Sequence, residues 1–211
     1  MPNLLHIEAS PSGEVSHSTG IARELLDAYR DRLPASTVAA VDVWNLDLPA
    51  FDATMIAAKF AVLRTQDATT AQRDHWARAV AISQMFNQAD SYVFSVPMWN
   101  FGIPYRLKHY IDVVTLPGQN WSWSKAEGYQ PLLRNKRAVS IYCSAGDFAS
   151  NPETSAVNAD FQKCYMRQWL RFTGIDVVDE IVVAPTLTDP AHLSEIKESC
   201  RQKARAVALT L

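Results

Sequence analysis

Short, mostly apolar runs alternate with segments of helical period along this chain, and that alternation constrains its fold more than any other feature. Leu4-Leu5-His6-Ile7-Glu8-Ala9 reads as a buried strand, after which Ile21, Ala22, Leu25, Leu26 and Tyr29 recur at helical spacing until Pro34 interrupts. Thr37 to Val43 is a β-branched, alternating second strand, and an irregular stretch with Pro49 leads out of it. Thr69 with Gln72 forms a capping box, and Trp76, Ala79, Ile82, Phe86 and Ala89 then trace one face of a long helix. Ser91 to Val96 is stopped by Pro97, as a central parallel strand would be. A helix follows from Pro104, with Leu107, Tyr110, Ile111 and Val114 on one side. Ala138 to Cys143 is the fourth strand, and a polar loop containing Pro152 follows it. A helix of Phe161, Tyr165, Trp169 and Phe172 is closed by Gly174. Asp176 to Ala184 is the fifth strand, and Asp189 with Pro190 opens a last helix running towards Leu211. Five strands alternating with helices predict an α/β fold, a doubly wound five-stranded parallel sheet with helices on both faces.

At 211 residues, 48% of them hydrophobic and spread along the whole length, the chain reads as a single domain over 1–211 with no linker. A net charge of -2 without a Lys/Arg run argues against nucleic acid as a partner. No apolar run approaches membrane-spanning length and the first strand is too short for a signal core, so a soluble cytoplasmic protein is expected. Cys143, Cys164 and Cys200, like the five histidines, are scattered without ligand spacing, so no metal is expected.

Doubly wound sheets bind ligands beyond the C-terminal ends of their strands, where the strand order reverses. After the first strand comes Ser10-Pro11-Ser12-Gly13-Glu14-Val15-Ser16-His17-Ser18, which is neither a GxGxxG dinucleotide turn nor a lysine-bearing P-loop. Hydroxyls immediately before a helix suit a mononucleotide phosphate, held by free backbone N–H groups and the helix dipole. The other reading of Ser16 or Ser18 is a plain helix cap. After the third strand, Pro97-Met98-Trp99-Asn100-Phe101-Gly102-Ile103-Pro104 surrounds one amide with apolar and aromatic groups, the surroundings a planar heteroaromatic ring wants. After the fourth, Ser144-Ala145-Gly146-Asp147 offers a small-residue turn through which backbone can approach the same ring. In the order 2-1-3-4-5 these three loops converge on one crevice. Asn120-Trp121-Ser122-Trp123-Ser124 through Gly128 reads as a small hairpin whose tryptophans either pack in the core or form a lid or dimer contact. No Ser/His/Asp or Cys/His constellation is visible, which argues against a hydrolase.

Pro97-Met98-Trp99-Asn100-Phe101, followed by Arg106-Leu107-Lys108-His109-Tyr110-Ile111-Asp112, resembles the P-M-Y-N-F … L-K-x-Y-x-D signature of the FMN-dependent NADH-azoreductase and NADH:quinone oxidoreductase family. Ser10, the Ser16-His17-Ser18 triplet and the run from Trp169 to Ile175 also fall where that family has equivalents, so the likeness spans nearly the whole chain. The resemblance implies a flavodoxin-like homodimer with one FMN per crevice, shared across the dimer interface. It also implies NADH or NADPH as donor and a quinone or azo compound as acceptor, with the chemistry carried by flavin N5 rather than by a catalytic side chain. By position, Ser10, Ser16, His17 and Ser18 would hold the phosphate end. Met98, Trp99, Asn100 and Phe101 would hold the isoalloxazine, with Asn100 near its N5/O4 edge, and Ser144, Ala145, Gly146 and Asp147 would meet its other edge. Trp99 stands where the family has Tyr, and Asp147 where it has Gly. A flavodoxin-like FMN-binding electron carrier or regulatory module without NAD(P)H-dependent reductase activity is the competing reading.

Overall fold

The computed structural model describes residues 3–63, 68–148 and 160–211. Its elements run β1 (Asn3–Glu8), α1 (His17–Arg32), β2 (Thr37–Asp42), α2 (Ala53–Leu63), α3 (Thr70–Gln88), β3 (Ser91–Pro97) and α4 (Tyr105–Val114). They continue as β4 (Trp121–Ser124), β5 (Gly128–Pro131), β6 (Lys136–Cys143), α5 (Phe161–Thr173), β7 (Ile175–Val183) and α6 (Pro190–Val207). The main sheet has the order β2-β1-β3-β6-β7, every pair parallel. Counting only its own five strands, this is 2-1-3-4-5, the flavodoxin-like fold expected above. The chain turns to one side after β1 and to the other from β3 onward, so the reversal lies between these two strands.

Alternation along the strands builds two cores. Leu5 and Ile7 of β1 and Tyr92, Phe94 and Val96 of β3 face α2 to α5, where Trp76, Phe86, Tyr110, Met166 and Trp169 pack on them. Leu4 and Val93 face the other way, against Leu25, Leu26 and Tyr29 of α1 and Ala204 of α6. The buried Tyr92 hydroxyl donates to the Phe86 carbonyl at 2.8 Å, and the Trp169 indole N–H to the Thr115 hydroxyl at 2.8 Å.

Helix ends follow the cap chemistry. Thr69 and Gln72 make the reciprocal capping box, Asp189 receives the His192 amide, and Gly174 ends α5 in the left-handed region at φ 92°. A Cβ at Gly174 would overlap the Leu133 carbonyl oxygen, so only glycine lets α5 end this close to the segment leaving β5. The hairpin forms as antiparallel β4 and β5. Its tryptophans divide: Trp121 packs on Tyr129 and on Phe172 of α5, with ring centroids 5.5 Å and 5.6 Å away, whereas Trp123 is exposed.

One expectation is corrected. The stretch after Pro49 is not irregular throughout but contains α2, capped by Asp52, whose carboxylate accepts from the Thr54 and Met55 amides at 2.9 and 3.0 Å. Helix α5 forms as expected and is closed by Gly174: Gln162, Met166, Trp169, Leu170 and Thr173 are buried, while Phe161 is exposed. The last helix opens at Asp189 and Pro190 as expected and runs towards Leu211, ending at Val207. The polar loop expected around Pro152 lies outside the described residues.

Candidate active site

The crevice at the switch point is assembled from the ends of β1, β3 and β6. Backbone bonds hold these ends side by side: the Ala9 amide donates to the Ser95 carbonyl at 3.0 Å and the Met98 amide to the Cys143 carbonyl at 2.7 Å. The three loops therefore leave the sheet together.

On the β1 side, Ser16 is the N-cap of α1, its hydroxyl accepting from the Thr19 amide at 3.4 Å and lying 3.3 Å from the Ser18 hydroxyl. Ser10, Ser16 and Ser18 are all buried, and the Ser12 amide donates to the Ser10 hydroxyl at 3.3 Å. Capping and anion binding coexist here, because one cap leaves the amides of His17 and Ser18 without intrahelical acceptors. Burial, and secondarily Lys197, lower the pKa of His17, so its ring stays neutral and leaves the helix dipole to supply the positive field. A groove of about 390 Å³ beside Ser16 and His17 is lined by Lys197 and Arg201 of α6, cations that nothing in the first loop announces.

The loop after β3 is a two-residue reversal. Trp99 and Gly102 exchange both backbone hydrogen bonds, at 2.9 and 3.0 Å, leaving Asn100 and Phe101 as the central pair at φ 47° and 70°. Both angles are positive, as in a type I′ turn, where the second place normally falls to glycine. A phenylalanine held there carries strain of a kind that persists when surrounding structure enforces it. The enforcement comes from α5: the Gln162 amide donates to the Phe101 carbonyl at 3.1 Å, and its fully buried side chain donates to the Val96 carbonyl at 3.0 Å. Phe101 also meets Phe148 edge to face, centroids 6.0 Å apart, which ties this loop to the one after β6.

In that third loop the Ser144 hydroxyl donates to the Gly146 carbonyl at 2.8 Å. The amides of Thr186 and Leu187 donate back to the carbonyls of Ser144 and Ala145 at 3.0 and 3.1 Å. Ala145 is exposed at the rim, while Gly146 and Asp147 are half-buried. Cys143, at the strand end, is pushed up to about 11 by burial, which leaves its thiol protonated and unreactive.

Several contributors escaped sequence reading. Trp44 lies just past the end of β2 and packs on Trp99 and Tyr105 with centroids 5.4 and 5.2 Å away, its indole N–H donating to the Ala9 carbonyl at 3.0 Å. The strand-end rule could have found it. Arg106 donates to the Val43 carbonyl at 2.6 Å and His109 meets the Pro49 carbonyl at 2.9 Å, so α4 fastens the segment that carries Trp44. In front of this aromatic wall is a cavity of about 440 Å³ lined by Trp99, Asn100, Tyr105, Lys108, Phe161 and Tyr165, among others. Of the α5 aromatics, Phe161 and Tyr165 face it. Burial pushes the Tyr165 phenol up to about 12, so it remains a hydrogen-bond donor at neutral pH. A larger cavity of about 600 Å³, lined by Arg134, Arg171 and Ile175, lies at the opposite end of the sheet and touches none of the expected residues.

The absence of a Ser/His/acid constellation does not hold in space. His6 lies within reach of both the Ser95 hydroxyl and the Glu8 carboxylate, but Ser95 is fully buried, so no substrate reaches its hydroxyl. Among the described residues no cluster of His, Cys, Asp or Glu is placed to hold a metal, and no helix is long and apolar enough to cross a membrane.

These features define a doubly wound sheet protein with its crevice at the switch point. A family model described as the flavodoxin-like fold matches residues 2–208. The FMN-dependent NADH:quinone oxidoreductase 3 of Pseudomonas fluorescens is 40% identical over 211 residues, 100% of this chain and 98% of the relative. The FMN-dependent NADH:quinone oxidoreductase of Desulfotalea psychrophila is 38% identical over the same shares of the two chains. Among solved structures, an azoreductase from Bacillus anthracis superposes with a TM-score of 0.90 at 24% identity, covering 100% of both chains, a likeness of fold. The chain belongs to the flavodoxin-like fold family, in the group whose members carry the name FMN-dependent NADH:quinone oxidoreductase.

Proposed function

We propose that this protein binds FMN in the switch-point crevice and uses NADH or NADPH to reduce quinones and azo compounds by two electrons, donor and acceptor taking turns at one site. The observation that carries the reading is the convergence of three chemically different loops: buried hydroxyls and helix amides after β1, an aromatic turn after β3, and a small-residue turn after β6. The residues fit the cofactor. Ser10, Ser16, His17 and Ser18 offer hydroxyls and amides to a dianionic phosphate. Met98 to Phe101 offer an apolar and aromatic bed, with the Asn100 amide for a polar edge, and Ser144 to Asp147 bring backbone to the far side.

When bound, the flavin supplies hydride acceptance at N5 and onward delivery of two electrons. The side chains orient and shield. Trp44, Trp99 and Tyr105 exclude water from one wall, and the braced Asn100–Phe101 turn holds its groups in place before anything binds. Phe161 and Tyr165 line the cavity where a planar acceptor would lie, and the Tyr165 hydroxyl can donate to its oxygen or nitrogen. By resemblance to the family, a second copy of the chain completes the site, in a cytoplasmic homodimer.

The test is a fluorescence titration with FMN and riboflavin, followed by NADH consumption with a quinone and an azo dye side by side. FMN should bind stoichiometrically and much more tightly than riboflavin, and initial rates should give parallel double-reciprocal lines. Equal affinity for the two flavins would remove the phosphate role of the first loop. Intersecting lines would require a ternary complex. A protein that binds FMN yet consumes no NADH would be the electron carrier instead.

A further inference from the structure

We infer that Glu8, His6, Ser95 and Thr19 form a buried positioning relay that holds the first turn of α1 in the geometry able to grip a phosphate; the inference rests on the flavin reading above. The period of the strands puts the relay on one side of the sheet. With Leu5 and Ile7 turned to the α2–α5 face, His6 and Glu8 of β1 point towards α1, as do Val93 and Ser95 of β3, and Glu8 and Ser95 are direct partners across the strands. His6 is 1% exposed, and Ser95 and Thr19 are fully buried.

Both imidazole nitrogens are engaged: Nδ1 lies 3.3 Å from a Glu8 carboxylate oxygen and Nε2 3.0 Å from the Ser95 hydroxyl. The Ser95 hydroxyl lies 3.5 Å from that of Thr19, which sits in the first turn of α1. The Thr19 amide in turn donates to the Ser16 hydroxyl. The contacts thus run unbroken from a carboxylate near the surface to the hydroxyls proposed to hold phosphate.

The chain is anchored at its charged end. The hydrogen bond from His6 lowers the pKa of Glu8 against the opposing effect of burial, and the charge of Arg23 adds to it, so Glu8 is an ionised acceptor at neutral pH. Glu8 therefore takes a proton carried by Nδ1, while the Ser95 hydroxyl lies between Nε2 and the Ile7 carbonyl, 3.0 and 3.4 Å away. The Thr19 hydroxyl meets the same Ser95 oxygen. Arg23, on the exposed side of Glu8, is itself paired with Glu14. A filled polar chain of this kind fixes orientation, which apolar packing at the same place would not do.

The test compares FMN and riboflavin affinities of wild type, Thr19→Val and His6→Gln, with ¹⁵N spectra of the histidine rings of the full-length protein. Thr19→Val cuts the last link while keeping shape, and stands alone if His6→Gln does not fold. Each variant should bind FMN roughly tenfold more weakly, the loss expected of a broken buried hydrogen bond. Riboflavin affinity should be unchanged. The His6 ring should carry a proton at Nδ1, facing Glu8. Variants that keep the wild-type preference for FMN, or lose both flavins equally, overturn the relay, as does a His6 ring bare at Nδ1. A wild type with no preference for FMN overturns the phosphate reading itself, which separates the two failures.

Discussion

Phe101 has the backbone of a glycine position and the side chain of a wall. A left-handed conformation costs a bulky residue about 1–2 kcal/mol, and the ring, half exposed, recovers little of that by burial. Phe101→Gly should therefore be no less stable than wild type in a thermal melt, yet should bind FMN more weakly because the ring and the preset turn are lost together. A melting temperature lowered along with the affinity would mean that the ring packs for stability. At the rim opposite, Asp147 replaces the glycine of the family pattern. Two unit charges about 7 Å apart in an effective dielectric near 20 interact by about 2 kcal/mol, which for a two-electron couple is on the order of 40 mV. If the carboxylate is ionised beside the crevice, it disfavours an anionic reduced cofactor, and Asp147→Asn should raise the midpoint potential by up to that amount. Redox titration at low and moderate salt checks it, and an unchanged potential makes Asp147 a turn residue only.

At the scale of elements, α2 shows what the chain order hides. Its residues, ATMIAAKFAVL, are apolar nearly all round, so no polar face marks a helix and the period is invisible. The cap was legible: Asp52 precedes it, and the Met55 and then the Thr54 amide hold its carboxyl below the ordinary carboxylate range. A depressed folded value means that this stabilisation is present above the unfolded value, roughly pH 4, and fades as pH falls through the folded one. Asp52→Ala should be less stable at pH 7 than wild type, and the difference should narrow on acidification; denaturant midpoints at pH 7 and pH 3 measure it. The five strands of the main sheet, by contrast, were legible to within two residues at either end: burial on both faces gives β1, β3 and β6 nearly continuous apolar runs, and β-branched residues mark the more exposed edge strands β2 and β7. Helix α5 was legible too, but its aromatics divide: Trp169 joins the core, Phe161 and Tyr165 line the crevice cavity and Phe172 meets the hairpin, while less conspicuous residues such as Gln162 and Thr173 are also buried. Gln162 had no signal at all, since its worth lies in carbonyls of Val96 and Phe101 that only the fold brings within reach.

For the whole molecule, Trp99, Phe101, Tyr105, Trp123, Tyr129 and Phe161 remain exposed, more large aromatic surface than a solitary domain usually leaves in water. A homodimer, as the family resemblance implies, would cover part of it. Sedimentation across a range of protein concentrations should give about twice the 23.5 kDa of one chain, and a species of single-chain mass at micromolar concentration would leave the crevice to be completed by one chain. The crevice has a further property. Each of its loops is fastened by another part of the chain: the Trp44 segment by Arg106 and His109, the Asn100–Phe101 turn by Gln162, and the Ser144 turn by Thr186 and Leu187. A socket braced from behind loses little chain entropy on filling, so calorimetry should find a heat-capacity change no larger than contact burial alone produces. It also has little give, and a guest of longer outline, such as a dinucleotide flavin, must leave its extra length in solvent.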